Sequence, residues 1–216
     1  MLTEQAREQM IEQQVRAWEV LDERVLDVLR RIPRERFVPE SHRFLAFADL
    51  DIPLPHGQHM LRPSLAGRIL QALHLGGTER TLEIGAGSGF LSACLGACSA
   101  QVRALEIFPD LADLARANLG SLGVRNVDVV TADVFQAEFT ERYDAIAVTG
   151  SLPVYDERFQ RLLAVGGRLF VITGEAPVME ARLVRRVSED AWISESLFET
   201  VVDPLINAPR REEFTF

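Results

Sequence analysis

One stretch, Leu82-Glu83-Ile84-Gly85-Ala86-Gly87-Ser88-Gly89-Phe90, constrains the fold more than any other. An apolar run with strand character stops abruptly at three alternate glycines, and a helical pattern over Phe90 to Ala97 follows at once. A strand, a glycine turn and a helix in direct succession open a parallel α/β sheet, and the turn lies at the carboxyl end of the strand, where such sheets bind ligands. Strand and helix then alternate. Val102 to Ile107 reads as a strand, Pro109 to Leu119 as a helix stopped by Gly120, Val127 to Thr131 and Asp144 to Thr149 as strands, and Phe159 to Leu163 as a short helix. Gly166 and Gly167 turn into a strand over Arg168 to Thr173. Two more strands, Arg182 to Val187 and Leu197 to Val202, are close enough in sequence to form an antiparallel hairpin at a sheet edge.

Upstream the character changes. Ile11, Val15 and Trp18 mark one helix; Leu21, Val25, Val28, Leu29 and Ile32 mark a second that Pro33 ends. Phe44 to Leu54 has no period, and Pro53 and Pro55 make it a loop or an edge piece. Ser64 to Leu75 reads as a helix with Leu65, Ile69, Leu70 and Leu73 inward. The expected architecture is a Rossmann-like α/β sheet with helices on both faces, an N-terminal helical cap and a C-terminal antiparallel hairpin. Residues 1–60 form the cap and a substrate-side loop, and 61–216 the core. A chain of 216 residues, 47% hydrophobic, suits one core domain with a small cap.

The glycine spacing bears on the ligand. A dinucleotide site wants G-x-G-x-x-G; here the third glycine comes one residue early, at Gly89, and Phe90 takes the dinucleotide position. Glu83, two residues before the first glycine, is badly placed for a pyrophosphate and well placed for a cation. The second strand ends at Glu106, about 20 positions past the glycines, where a carboxylate accepts from both ribose hydroxyls. The third strand is followed by Asp133 and Val134, suited to an adenine amino group and ring. One acid for an ammonium, one for a ribose and one for a base, in order at consecutive strand ends, describe S-adenosyl-L-methionine and hence a class I methyltransferase. The expected cofactor contacts are Glu83, Gly85, Ala86, Gly87, Ser88, Gly89, Glu106, Ile107, Asp133, Val134 and Thr149.

Bulk properties narrow the partners. A net charge of -9 argues against broad nucleic-acid binding. Two basic clusters, Arg30, Arg31, Arg34 and Arg36, and Arg210 with Arg211, read as solvated surface. Cys94 and Cys98 share a helix face among small apolar residues and read as packed thiols; no metal site is expected. Neither a signal peptide nor a run of about 18 apolar residues is present, so a cytoplasmic protein without membrane association is the expectation.

The chain also resembles protein-L-isoaspartate O-methyltransferases over roughly residues 10 to 205. The pieces that carry the likeness are Met10-Ile-Glu-Gln-Gln-Val-Arg, Val20-Leu-Asp-Glu-Arg-Val-Leu, Ile32-Pro-Arg-Glu-Arg-Phe-Val-Pro-Glu, His56-Gly-Gln, the glycine loop, Tyr143-Asp-Ala-Ile-Ala-Val-Thr, Gly166-Gly-Arg-Leu and Leu183-Val-Arg-Arg. The resemblance implies methyl transfer to a carboxylate of damaged aspartyl residues in a protein or peptide. It breaks on the substrate side. After His-Gly-Gln the family reads Thr-Ile-Ser, one residue, then proline; here His59 replaces the threonine and Leu61 the serine that lies by the methyl-transfer centre. The family's C-terminal loop after Val-Pro-Leu is also altered, as Asp203-Pro204-Leu205-Ile206-Asn207-Ala208-Pro209. His56, Gln58, His59 and Leu61 are therefore the candidate substrate-side residues. His59 could serve as a base for a phenol, amine or hydroxyl. Two other readings stay open: a methyltransferase with a small-molecule or RNA acceptor, and a non-catalytic S-adenosylmethionine-binding protein. The oligomeric state is left undetermined.

Overall fold

The computed structural model describes residues 2–210; Arg211 of the second basic pair and the end of the core segment lie outside them. Five parallel strands form the centre of the sheet: β3 (Arg80–Ile84), β4 (Gln101–Glu106), β5 (Val127–Thr131), β6 (Tyr143–Leu152) and β7 (Leu163–Glu175). Two antiparallel strands, β8 (Val178–Ser188) and β9 (Ala191–Thr200), extend it, giving the order β5-β4-β3-β6-β7-β8-β9. The chain runs outward from β3 to β5 and returns to β6 on the other side of β3, so a crevice opens at the carboxyl ends of β3 and β6. A separate two-stranded ribbon, β1 (Ile52–Pro53) with β2 (His59–Met60), carries the substrate-side loop.

Period-two burial sends alternate residues to two cores. Ala145, Ala147, Phe170 and Ile172 face one, with α3 (Pro63–Leu73), α4 (Phe90–Gly96), α5 (Pro109–Ser121) and the N-terminal helices. Ile146, Val148, Leu169 and Val171 face the other. That second face is covered sparingly, by the short α6 (Glu157–Arg161) and irregular chain around Val134 to Phe139. Among the described residues no helix is long and apolar enough to cross a membrane.

The N-terminal segment is helical but broken: α1 (Leu2–Met10) passes into a π turn and a 3-10 turn, burying Ile11 and Val15 but leaving Trp18 43% exposed. Leu21, expected inward, is 66% exposed, because Asp22 caps α2 (Glu23–Arg31) by accepting from the Arg24 N–H, so the helix starts after Leu21. The last strands outrun their predicted limits. β9 begins at Ala191 rather than Leu197, because its first half, with Ser194, Glu195 and Ser196, pairs on β8 without burying an apolar face.

Arg34 departs most from the surface reading. Its side chain is fully buried; Nε donates to the Ala46 carbonyl at 3.0 Å and Nη2 to the Leu61 carbonyl at 2.9 Å, with the guanidinium over the Phe90 ring. Burial pulls its pKa down to about 10. The residue ties the cap to the loop that carries Leu61. The rest of that basic cluster is surface, with Arg30 in ion pairs with Glu8, Glu12 and Asp27. Cys94 is buried and Cys98 half-buried, both free thiols, and burial raises both above the usual thiol range.

Candidate active site

A cavity of about 770 Å³ occupies the crevice. Four strand ends build its floor: Ile84 to Ser88 after β3, Leu105 to Ile107 at β4, Ala132 to Val134 after β5, and Thr149 to Ser151 in β6. Gln58 to Leu61 of the β2 loop and the C-terminal segment from Val201 to Ile206 form its walls.

The glycine loop is shaped by backbone need. Gly85 has φ +94°, and a Cβ there would meet the Thr149 Oγ at 2.3 Å; that hydroxyl is shared between the Ile84 and Gly85 carbonyls at 2.8 and 2.9 Å. Thr149 thus braces the loop as well as lining the cavity. Gly89, expected among the cofactor contacts, does not line it. Its φ of +86° and the Ala115 Cα, 3.2 Å from where a Cβ would sit, show that it admits the close approach of α5.

The three acids all line the cavity. Glu83 is fully buried on β3; its Oε2 accepts from the Ser92 hydroxyl on α4 and its Oε1 has no partner. Burial raises its pKa to about 8, against the Ser92 hydrogen bond and with help from the Glu106 charge. Glu106 accepts from the Gly87 N–H at 2.8 Å through Oε2 and from the Phe108 N–H at 3.1 Å through Oε1, which fastens the glycine loop to the end of β4. Asp133 accepts from the Phe135 N–H, the Gln136 amide and the Asn207 amide, each at 2.9 Å. Ala86, Gly87, Ser88, Ile107 and Val134 complete this side of the cavity, with the Ser88 Oγ buried and unpartnered.

On the opposite wall, Gln58, His59 and Leu61 line the cavity and His56 does not. His56 stacks on Phe108 with ring centroids 4.1 Å apart, and its Nε2 contacts Asp110 at 2.8 Å, which holds that carboxyl below its usual range. It is spent fixing the loop to the start of α5. His59 Nδ1 lies 2.7 Å from the Asp203 Oδ2. Leu61 packs partly against the main core. The lining residues not singled out from sequence include Asp51, Leu54, Gly174, Glu175 and Met179, as well as the C-terminal strap. Asp203 and Leu205 bracket Ser151, whose N–H donates to the Asp203 carbonyl at 2.8 Å and whose carbonyl accepts from the Leu205 N–H at 2.9 Å. For the strap, the altered loop after Val-Pro-Leu was the available signal.

The profile of the Protein-L-isoaspartate(D-aspartate) O-methyltransferase (PCMT) family matches residues 4–208. The chain belongs to this family. A protein-L-isoaspartate O-methyltransferase 1 of Rhodopseudomonas palustris is 40% identical over 203 residues, 93% of this chain and 82% of the relative. A protein-L-isoaspartate O-methyltransferase of Methanoculleus marisnigri is 38% identical over 83% of each chain. Among solved structures, a Plasmodium falciparum chain assigned to the same enzymes and bound to S-adenosyl-L-homocysteine superposes with a TM-score of 0.78, 20% identity, and coverage of 92% of this chain and 97% of that one. At that identity the superposition speaks for the fold alone. In this chain the four strand ends named above face the wall built by Gln58 to Leu61 across one cavity.

Proposed function

We propose that this chain methylates the carboxylate of isoaspartyl residues in proteins or peptides, with S-adenosyl-L-methionine held by the strand ends and the acceptor entering past the β2 loop. The observation that carries the reading is the arrangement of Glu83, Glu106 and Asp133 around one cavity behind a glycine loop in a chain of this family. A buried carboxylate oxygen without a partner at Glu83 suits an ammonium. Gly87, with φ +54° and little space beside Leu54 for a Cβ, leaves bare backbone for the ligand. Both observations fit S-adenosylmethionine, as does the order of the acids. When bound, that group supplies a methyl carbon activated by a sulfonium.

The chain's own residues then have defined work. Glu83 pairs with the ammonium, Glu106 accepts from the ribose hydroxyls, Asp133 accepts from the adenine amino group and Val134 packs the ring. An ionised carboxylate is already a nucleophile, so the protein need not remove a proton; it must position the acceptor and exclude water. The walls at Gln58 to Leu61 and Val201 to Ile206 are placed for that. In this reading residues 1–60 serve as cap and substrate-side loop, the α/β core within 61–216 holds the cofactor while its C-terminal segment completes the acceptor wall, and the chain acts in the cytoplasm on damaged protein.

The test is transfer of a labelled methyl group to an isoaspartyl peptide, with the aspartyl isomer as control. Slow but selective turnover is expected, because Leu61 puts bulk in the cavity wall where the family pattern has a serine hydroxyl. Leu61→Ser should raise kcat on the isoaspartyl peptide about tenfold, the worth of one positioning hydrogen bond. Fast wild-type turnover with no gain in Leu61→Ser would show that the serine is dispensable here; equal turnover of both isomers would remove the isoaspartyl assignment.

A further inference from the structure

We infer that His59, held by Asp203, receives the acceptor's carboxylate in this chain. The inference rests on the isoaspartyl reading above and names the residue that recognises the substrate.

Two departures from the family pattern meet in space. Threonine gives way to His59 on the β2 loop, and the loop after the family's Val-Pro-Leu is altered to Asp203-Pro204-Leu205 on the strap, 144 residues later. Their side chains pair at 2.7 Å, and both line the cavity. Neither departure makes a contact of this kind alone. A lone aspartate there would add one more negative charge to a site that must admit an anion.

The charge around the cavity says why a cation is needed. Besides the buried Glu83, which holds its proton, five carboxylates line it, those of Asp51, Glu106, Asp133, Glu175 and Asp203, against two side chains able to carry positive charge, His59 and Arg210. Arg210 has no hydrogen bond or ion pair among the described residues, whereas His59 is fixed twice: by the pairing of β2 with β1, in register with Pro53, and by Asp203. Asp203 is itself fixed, its carbonyl accepting from the Ser151 N–H. Nδ1 is turned to Asp203, and Nε2, the ring nitrogen left for an acceptor, has no partner among the described residues. A charge-assisted N–H···O⁻ bond from that nitrogen replaces the hydroxyl donors of the family pattern. Asp203 is a positioning residue: it orients the ring and supplies the counter-charge.

The experiment compares wild type with His59→Thr, Asp203→Asn and Asp203→Glu. Affinity for a fluorescent isoaspartyl peptide is measured by anisotropy with S-adenosylhomocysteine saturating, and KM and kcat by methyl transfer. Both His59→Thr and Asp203→Asn should weaken peptide binding and raise KM at least about tenfold, with kcat within about threefold, as loss of binding equal in ground and transition states requires. Asp203→Glu should recover most of the loss. S-adenosylhomocysteine affinity should not change. Unchanged peptide affinity and KM in both variants, with an active wild type, would overturn the inference and leave the proposed function standing. An equal fall in S-adenosylhomocysteine affinity would overturn it too, because the pair would then be holding the strap. A wild type that neither binds nor methylates the peptide would remove both.

Discussion

Glu106→Ala is expected to weaken S-adenosylhomocysteine binding about a hundredfold while the protein stays folded. The carboxylate has two sets of partners in this account. It already accepts from the Gly87 and Phe108 N–H groups, and each of its oxygens has a further lone pair for a ribose hydroxyl. Alanine deletes the ligand bonds and releases the glycine loop from the end of β4. Hydrogen bonds to a charged group are worth roughly 1.5–3 kcal/mol each, so two of them account for the loss. Calorimetry reads it directly, with circular dichroism confirming the fold. A dissociation constant equal to the wild type's would show that Glu106 fastens the loop and does nothing for the ligand.

Glu83→Gln should separate stability from binding. An unperturbed glutamate ionises near 4.5, whereas burial holds Glu83 protonated to about 8 in the folded, ligand-free protein. Between those values the folded state binds a proton that the unfolded state has released, so this residue's contribution to stability is full below about pH 4.5 and falls as the pH rises through 8. Glutamine has no such proton. The melting temperature of Glu83→Gln should therefore gain on that of wild type steadily across the interval. Ligand binding reverses the comparison: the ammonium draws out the ionised form, so wild type at pH 7 should release protons on binding S-adenosylhomocysteine, seen as a buffer-dependent calorimetric enthalpy. The variant should release none from this position and bind at least about tenfold more weakly. Parallel melting curves for the two proteins across the interval would contradict the burial argument, and buffer-independent heats would contradict the ion pair.

Much of the cofactor side was legible because short-range chemistry decides it. Glycines at 85 and 87, and acids within two positions of a strand end, are fixed by strand geometry, and all of them line the cavity. Gly89 lies off the cavity lining and against Ala115, and a glycine needed by a ligand looks the same in sequence as one needed by a neighbouring helix. Arg34 was misread for a related reason. Its charge argues for surface, and nothing local reveals that two carbonyls, at Ala46 and Leu61, wait for it in the interior. His56 and His59 lie three residues apart on one loop, yet one serves Phe108 and Asp110 and the other Asp203. Those partners come from distant segments, and loop periodicity carries no trace of them. The first half of β9 shows no apolar alternation to read, because it is mostly exposed where it pairs on β8; the early start of β8 does alternate, with Met179, Ala181 and Leu183 buried. Their pairing was still readable from spacing.

The chemistry of the transferred methyl group tests the account most directly. Wild-type protein is incubated with methyl-labelled S-adenosylmethionine and an isoaspartyl peptide, and separately with a protein extract, and the products are treated with mild alkali. A methyl ester on a carboxylate hydrolyses and releases labelled methanol, while a methyl group on an amine or hydroxyl stays attached. The label is expected to leave as methanol from both the peptide and the extract. A label that resists alkali would contradict it, placing the acceptor outside the carboxylates.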